Sequence, residues 1–192
     1  MANSLDNSGL DVIFGNARTC RDWQNGEVPE LLLRKLYELT SLGPTSANCQ
    51  PARFVFVISS EAKNRLKPCL AVGNINKTMT ASATVIIARD IRFFELMDNA
   101  ESAASFAADQ QSAEIHGFRN STLQAAYLII AARAIGLDCG PMSGFDQTAL
   151  DNEFFPDGRL KSNLLINFGY GDKTSMPERL PRHAFGEACK IL

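Results

Sequence analysis

From Leu123 to Ile135 the chain is apolar almost all the way round, with Arg133 as its single charge. Ser121-Thr122-Leu123-Gln124 at its front fits a capping box and Gly136 is a suitable stop, so a helix over Phe118–Gly136 is predicted. A helix without a polar face must be covered on every side. In a chain of 192 residues that demand is met by burial in the core or by an interface with a second copy. The longest uncharged apolar-rich run, Ser121 to Ala132, is too short to span a bilayer.

The remaining elements arrange themselves around this helix. Leu10 to Gly15 reads as a short helix. Pro29 to Leu42 reads as another, with proline in its first turn, Leu32, Leu33, Leu36, Tyr37 and Leu39 filling a face, and Gly43 as the stop. Phe54 to Ile58 is a strand, Glu61 to Leu70 a short helix, and Thr84 to Ala88 and Asn163 to Phe168 are interior strands by their apolar, β-branched content. Between Arg89 and Gly117 the pattern suggests helix and loop. Phe93, Phe94 and Phe106 fall there, and core packing suits them better than a place on a pocket wall. No repeat, low-complexity linker or composition break marks a second domain, so residues 1–192 are expected to form one.

Several functional classes are excluded early. A net charge of -2 gives no general pull toward nucleic acid or acidic membranes, so an anionic ligand must be held by a local cluster of cations. Met1 to Gly9 has neither a basic nor an apolar leader region, and the protein is expected in the cytoplasm. Cys20, Cys49, Cys69, Cys139 and Cys189 are odd in number and widely spaced, which fits reduced packing thiols rather than a disulfide framework. With only His116 and His183 available, no His-rich metal site or Cys/His protease is expected. Ser/His/Asp, zinc, G-x-G-x-x-G and Walker signatures are all missing.

Five stretches hold side chains suited to a ligand. In Gly43-Pro44-Thr45-Ser46-Ala47-Asn48-Cys49-Gln50-Pro51, hydroxyls and amides stand between a helix stop and a strand, with two prolines limiting the backbone. An ordinary connection whose polar groups satisfy their own backbone is the other reading. In Ala17-Arg18-Thr19-Cys20-Arg21-Asp22-Trp23 an arginine fork and a hydroxyl suit a phosphate monoester, and a solvated basic turn is equally open. Asn74 and Lys77 share a face if their segment is helical. Gly140 and Gly144, in Leu137 to Asp146, allow backbone to pass close to a ligand or simply make a turn. Arg179-Leu180-Pro181-Arg182 adds cations near the C-terminus.

Taken together these stretches resemble the FMN-dependent nitroreductase family, in the family's order along nearly the whole chain. P-T-S-A-N-x-Q-P-x-x-F resembles its P-S-S-x-N-x-Q-P-W-x-F loop, and Arg18 to Trp23 its R-S-x-R-x-F motif with Thr19 for Ser and Trp23 for Phe. N-x-x-K before a buried strand and the turn G-x-x-P-x-x-G-F are similar too, with Ser143 where the family often has Glu. The resemblance implies an α+β sandwich, a mainly antiparallel sheet covered by helices, in an intertwined homodimer with FMN at the interface. It implies that Arg18 and Thr19 address the FMN phosphate or ribityl chain, and Arg21, Asn74 and Lys77 the pyrimidine edge. Pro44, Thr45, Ser46 and Asn48 would come from the partner copy. Pro141, Ser143 and Gly144 would offer backbone near flavin N5, and Arg179 or Arg182 would close the phosphate site. No side chain is then a catalytic residue, because flavin N5 carries hydride from NADH or NADPH to a small-molecule acceptor. Residues 17–19, 43–48 and 137–146 look most like the malonic semialdehyde reductase branch, which makes 3-hydroxypropanoate. A broad nitroaromatic or quinone reductase and a non-catalytic flavin-binding protein are the alternatives.

Overall fold

Strand-forming residues gather in four places, and in the computed structural model, which describes residues 4–192, they pair into one antiparallel sheet. Met1 to Asn3 of the leader segment read above lie outside the described residues. The strands are β1 (Ala52–Val57), β2 (Ala83–Asp90), β3 (Asp138–Met142) and β4 (Leu160–Gly169), in the order β1-β2-β4-β3. The interior pair β2–β4 carries the most apolar sequence, as expected for strands covered on both faces. β1 starts two residues before the predicted Phe54 and ends before Ile58, which is exposed. Ala52 and Arg53 join the strand by pairing with Arg89 and Ala88, and just before them the Pro51 carbonyl accepts from Asp90 N while Ala52 N donates to Gln124 Oε1.

Helices cover both sheet faces. They are α1 (Asn7–Leu10), which runs on into a π-helical turn at Asp11–Gly15, then α2 (Glu30–Ser41), α3 (Ser60–Leu66), α4 (Val72–Thr80), α5 (Ala100–Ala108), α6 (Gln110–Ala134), α7 (Gln147–Phe154) and α8 (Phe185–Ala188). Alternation along β2 decides the layers: Val85 and Ile87 pack with Leu36 of α2 and Leu128 of α6, while Ile86 and Ala88 pack with Leu66 of α3 and Leu150 of α7. The α+β architecture expected from the sequence is therefore present. Phe93 is fully buried with Cys49 and Ala113, and Phe94 and Phe106 pack against that cluster.

All four helix starts differ from the sequence reading, by one residue for α2 and α3, by three for α1 and most for α6. The long helix begins at Gln110, eight residues before Phe118, because Asp109 Oδ1 caps it by accepting from Ser112 N at 3.0 Å. Ser121 therefore lies in mid-helix, its hydroxyl donating back to the Phe118 carbonyl rather than capping anything. Pro29 is the N-cap of α2 rather than part of its first turn. The apolar half of α6 is covered on one side by Leu128, Ala131 and Ala132 contacts, yet Ile115, Phe118 and Leu123 remain exposed. Among the described residues no helix is long and apolar enough to cross a membrane.

Candidate functional site

Residues 16–23 form a strap along the outer edge of β3. Cys20 N donates to the Cys139 carbonyl at 2.8 Å, and Thr19 and Trp23 make isolated bridges to Cys139 and Gly171. Gly140 is what lets the strap lie so close, since a Cβ there would sit 2.6 Å from the Cys20 carbonyl oxygen. Further along, the Trp23 indole donates to the Lys77 carbonyl at 2.8 Å, and Asn167 Nδ2 reaches the same oxygen at 3.1 Å. The aromatic anchor of the sequence motif thus ties the strap to α4, which carries Asn74 and Lys77 on one face as its helical spacing requires.

This tie brings Arg21 close to Lys77. Burial first, and then the Arg21 charge, push the Lys77 ammonium below the ordinary lysine range. Asn74 Nδ2 donates to the Gly144 carbonyl at 2.6 Å, and Ala71 N reaches the same oxygen at 3.0 Å. A Cβ on Gly144 would meet Asn74 Nδ2 at 2.7 Å and displace that amide from the Gly144 carbonyl. Pro141 sits within β3 opposite Ile166, and Ser143 is exposed beside the turn.

A second group of cations gathers at the start of the strap. Arg179 Nη2 donates to the carbonyls of Phe14, Gly15 and Ala17 at 2.5, 2.9 and 3.1 Å. Arg18 Nη1 donates to those of Gly15 and Ala17, and Arg133 Nη1 to that of Ile13 at 3.1 Å. Desolvation, followed by the charges of Arg18, Arg182 and Arg133, holds Arg179 below the usual arginine range. Arg182 spends its own donors on the Leu180 and Pro181 carbonyls. None of these arginines, nor Arg21 or Lys77, has a carboxylate partner among the described residues. Arg133 was not a sequence candidate. Its signal was there, as the one charge on an otherwise apolar helix end, and its Nε is buried without a partner.

The remaining candidates lie elsewhere. Pro44, Thr45, Ser46 and Asn48 lead into β1, on the opposite edge of the sheet from the strap, four strand spacings or about 19 Å away. They also lie toward the opposite end of the strands, since Ala52 pairs with Arg89 whereas Cys139 pairs with Phe168. The loop is rigid and locally strained: Ala47, Asn48 and Gln50 all have positive φ, at 49, 54 and 37°. α6 holds it there, with Asn120 Oδ1 accepting from Ser46 N at 2.8 Å. Part of its polarity is spent internally, as Thr45 Oγ1 accepts from Gln50 N and Asn48 Oδ1 from Gln50 Nε2. A single copy of the chain therefore assembles Arg18, Thr19, Arg21, Asn74, Lys77, Pro141, Ser143, Gly144 and Arg179 along one edge and leaves the 44–48 loop apart.

Cys20 and Cys139 fasten the strap through their backbones, not by a disulfide. Cys20, Cys49, Cys69 and Cys139 are buried free thiols, and burial pushes Cys139 up to about 12.

Comparison with known proteins identifies the family and the fold. The profile described as Nitroreductase family matches residues 16–170. A solved protein from Bacillus subtilis described as a nitroreductase superposes with a TM-score of 0.86 at 21% identity, over 97% of this chain and 100% of that one. An Exiguobacterium sibiricum protein of the same description, solved in complex with FMN, gives 0.85 at 17% identity over 100% of both chains. A nitroreductase-like protein from Streptococcus mutans gives 0.79 at 24% identity, over 97% of this chain and 98% of that one.

Proposed function

The chain belongs to the nitroreductase family, and on that premise we propose that it is an FMN-dependent oxidoreductase that passes hydride from NADH or NADPH to a small electron acceptor. The observation that carries the reading is that Arg18, Arg21, Lys77, Arg133 and Arg179, gathered along the β3 edge, have no carboxylate partner among the described residues, the one carboxylate of β3, Asp138, being taken by Lys173. A phosphate monoester offers several charged oxygens that convergent guanidiniums satisfy well. Arg18 and Arg179 meet at one turn, Thr19 adds a hydroxyl, and Arg133 keeps a buried N–H in reserve. The residues present fit FMN.

When bound, FMN supplies the hydride chemistry that these side chains lack. The chain's own part is to hold and bias it. Arg21 and Lys77 repel each other as they stand, so an anionic ring edge beside them relieves that repulsion and is favoured over a neutral one. Asn74 fixes the Gly144 turn, where the lack of a side chain leaves backbone able to approach a ring. Trp23 and Asn167 fix the Lys77 backbone by donating to its carbonyl.

The 44–48 loop belongs to the same site only if a second copy supplies it, and the strained, well-anchored conformation suits such a task. The exposed Ile115, Phe118 and Leu123 on α6 support a homodimer that buries them. As acceptor we favour malonic semialdehyde, on the resemblance of residues 17–19, 43–48 and 137–146; nitroaromatics and quinones follow. Residues 1–192 then act as one FMN-binding domain.

Reconstitution tests the reading. Protein soaked in FMN and desalted should be yellow, bleach with NADH or NADPH under anaerobic conditions, and recolour on adding acceptor. Colourless protein would end the proposal, and a yellow monomer in gel filtration would end the shared site. Lys77→Met should weaken flavin binding or slow its reduction.

A further inference from the structure

A cleft of about 640 Å³ opens at the far end of β2 and β4, between the first turns of α6 and α7, and shares no residue with the candidate flavin site. Its floor is unusual. Arg89 and Lys161 are directly opposed cross-strand partners, so two cations stand side by side on one face of the sheet. Like charges at that spacing oppose folding unless something offsets them.

The carboxylates at hand offset them only in part. Glu114 contacts Arg89 Nη2 but is 56% exposed at the rim, and the Arg89 side chain, 11% exposed, leaves its Nε buried without any partner. Asp151 stays 3.9 Å from Lys161 Nζ, because its Oδ1 is taken by Ser162 N at 2.9 Å. Phe94, Ile91 and Ala113 add apolar surface to a lining that also carries Gln110, Gln147 and Thr148. A volume of this size accommodates a ligand well beyond a simple ion.

We infer that this cleft is a second binding site, for a small carboxylic acid with an apolar body, whose carboxylate seats on Arg89 and Lys161 while its body lies against Phe94 and Ile91. A carboxylate there meets the unspent Arg89 and Lys161 donors and removes the cross-strand repulsion. Arg92 is met by Glu95 at 3.5 Å, so it is the opposed Arg89 and Lys161, with Glu114 at the rim and Asp151 held off at 3.9 Å, that a carboxylate would satisfy.

The probe is 4-phenylbutyrate, titrated calorimetrically into the full-length protein, with 4-phenylbutan-1-ol as the neutral analogue. The acid should bind at least about tenfold more tightly than the alcohol. Lys161→Gln should lose about tenfold in affinity for the acid, and Lys161→Arg should retain it. Absence of binding, equal binding of acid and alcohol, or an unchanged affinity in Lys161→Gln would each overturn the assignment. So would displacement of the acid by FMN, since that would place it on the flavin patch. The titration reads the same whether or not the protein takes up FMN, so the two proposals fail separately.

Discussion

At the end of β2, Arg53 and Arg159 close on Asp90, whereas beyond β3 Arg18, Arg133 and Arg179 close on backbone carbonyls alone. The Asp90 side chain is 3% exposed and accepts from Arg159 Nε and Nη2, from Arg53 Nη2 and from Arg92 N, all at 2.9–3.1 Å. Glu95 adds a second carboxylate to Arg159. Charge and hydrogen-bonding capacity are spent there, so that knot fastens strands and has nothing left to offer a ligand. The β3-edge group keeps its positive charge, and its donors meet only neutral oxygens. Arginines that look alike in sequence thus divide into those paired with a carboxylate and those bonded only to backbone carbonyls, which the proposed function assigns to an anion.

Removing Asp90 tests the first half of that contrast most severely. Asp90→Ala leaves two partly buried guanidiniums facing each other and should cost about 3 kcal/mol of unfolding free energy in urea titrations. A loss under about 1 kcal/mol would show that the knot is no more structural than a surface pair. Arg179→Ala tests the second half. Stability should move by less than about 1 kcal/mol, while the Kd for FMN rises about tenfold to a hundredfold in fluorescence titrations. Riboflavin, which lacks the phosphate, should bind the variant as it binds the parent. Equal losses for both ligands would put Arg179 with the structural arginines instead.

Acid titration gives the smallest and sharpest separation. Burial acts to raise the Asp90 pKa, but the bonds from Arg159 and Arg92 N and the Arg53 charge outweigh it and leave it below the ordinary 3.8. The unfolded chain therefore binds the proton more readily. The stabilisation from Asp90 is whole above 3.8 and fades as pH falls through the lower folded value. Asp90→Asn should accordingly show a flatter acid limb below that pH, whereas Arg179→Ala should follow the parent curve.

Much of this was legible in the sequence. Val85-Ile86-Ile87-Ala88 reads as a buried strand because its side chains leave no polar face, and Asn74 and Lys77 share a face because helical spacing puts them there. Arg18, Thr19 and Arg21 stood out only through resemblance to a family motif, since their spacing by itself suits a solvated basic turn equally well or better. Arg133 did not stand out, since its role depends on where α6 ends relative to Ile13, 120 positions earlier. The Ser121 capping box misled because the same hydroxyl can cap a helix or bond back within one, and the Asp109 cap upstream decided between them.

Local chemistry thus set the elements, the strained polar loop and the inventory of cations, because propensity, periodicity and residue type act over a few positions. Which arginines found a carboxylate, and that the 44–48 loop and the strap lie on opposite edges of one sheet, came only from the tertiary fold. Strand order and register place residues far apart in the chain, and no short stretch contains that information.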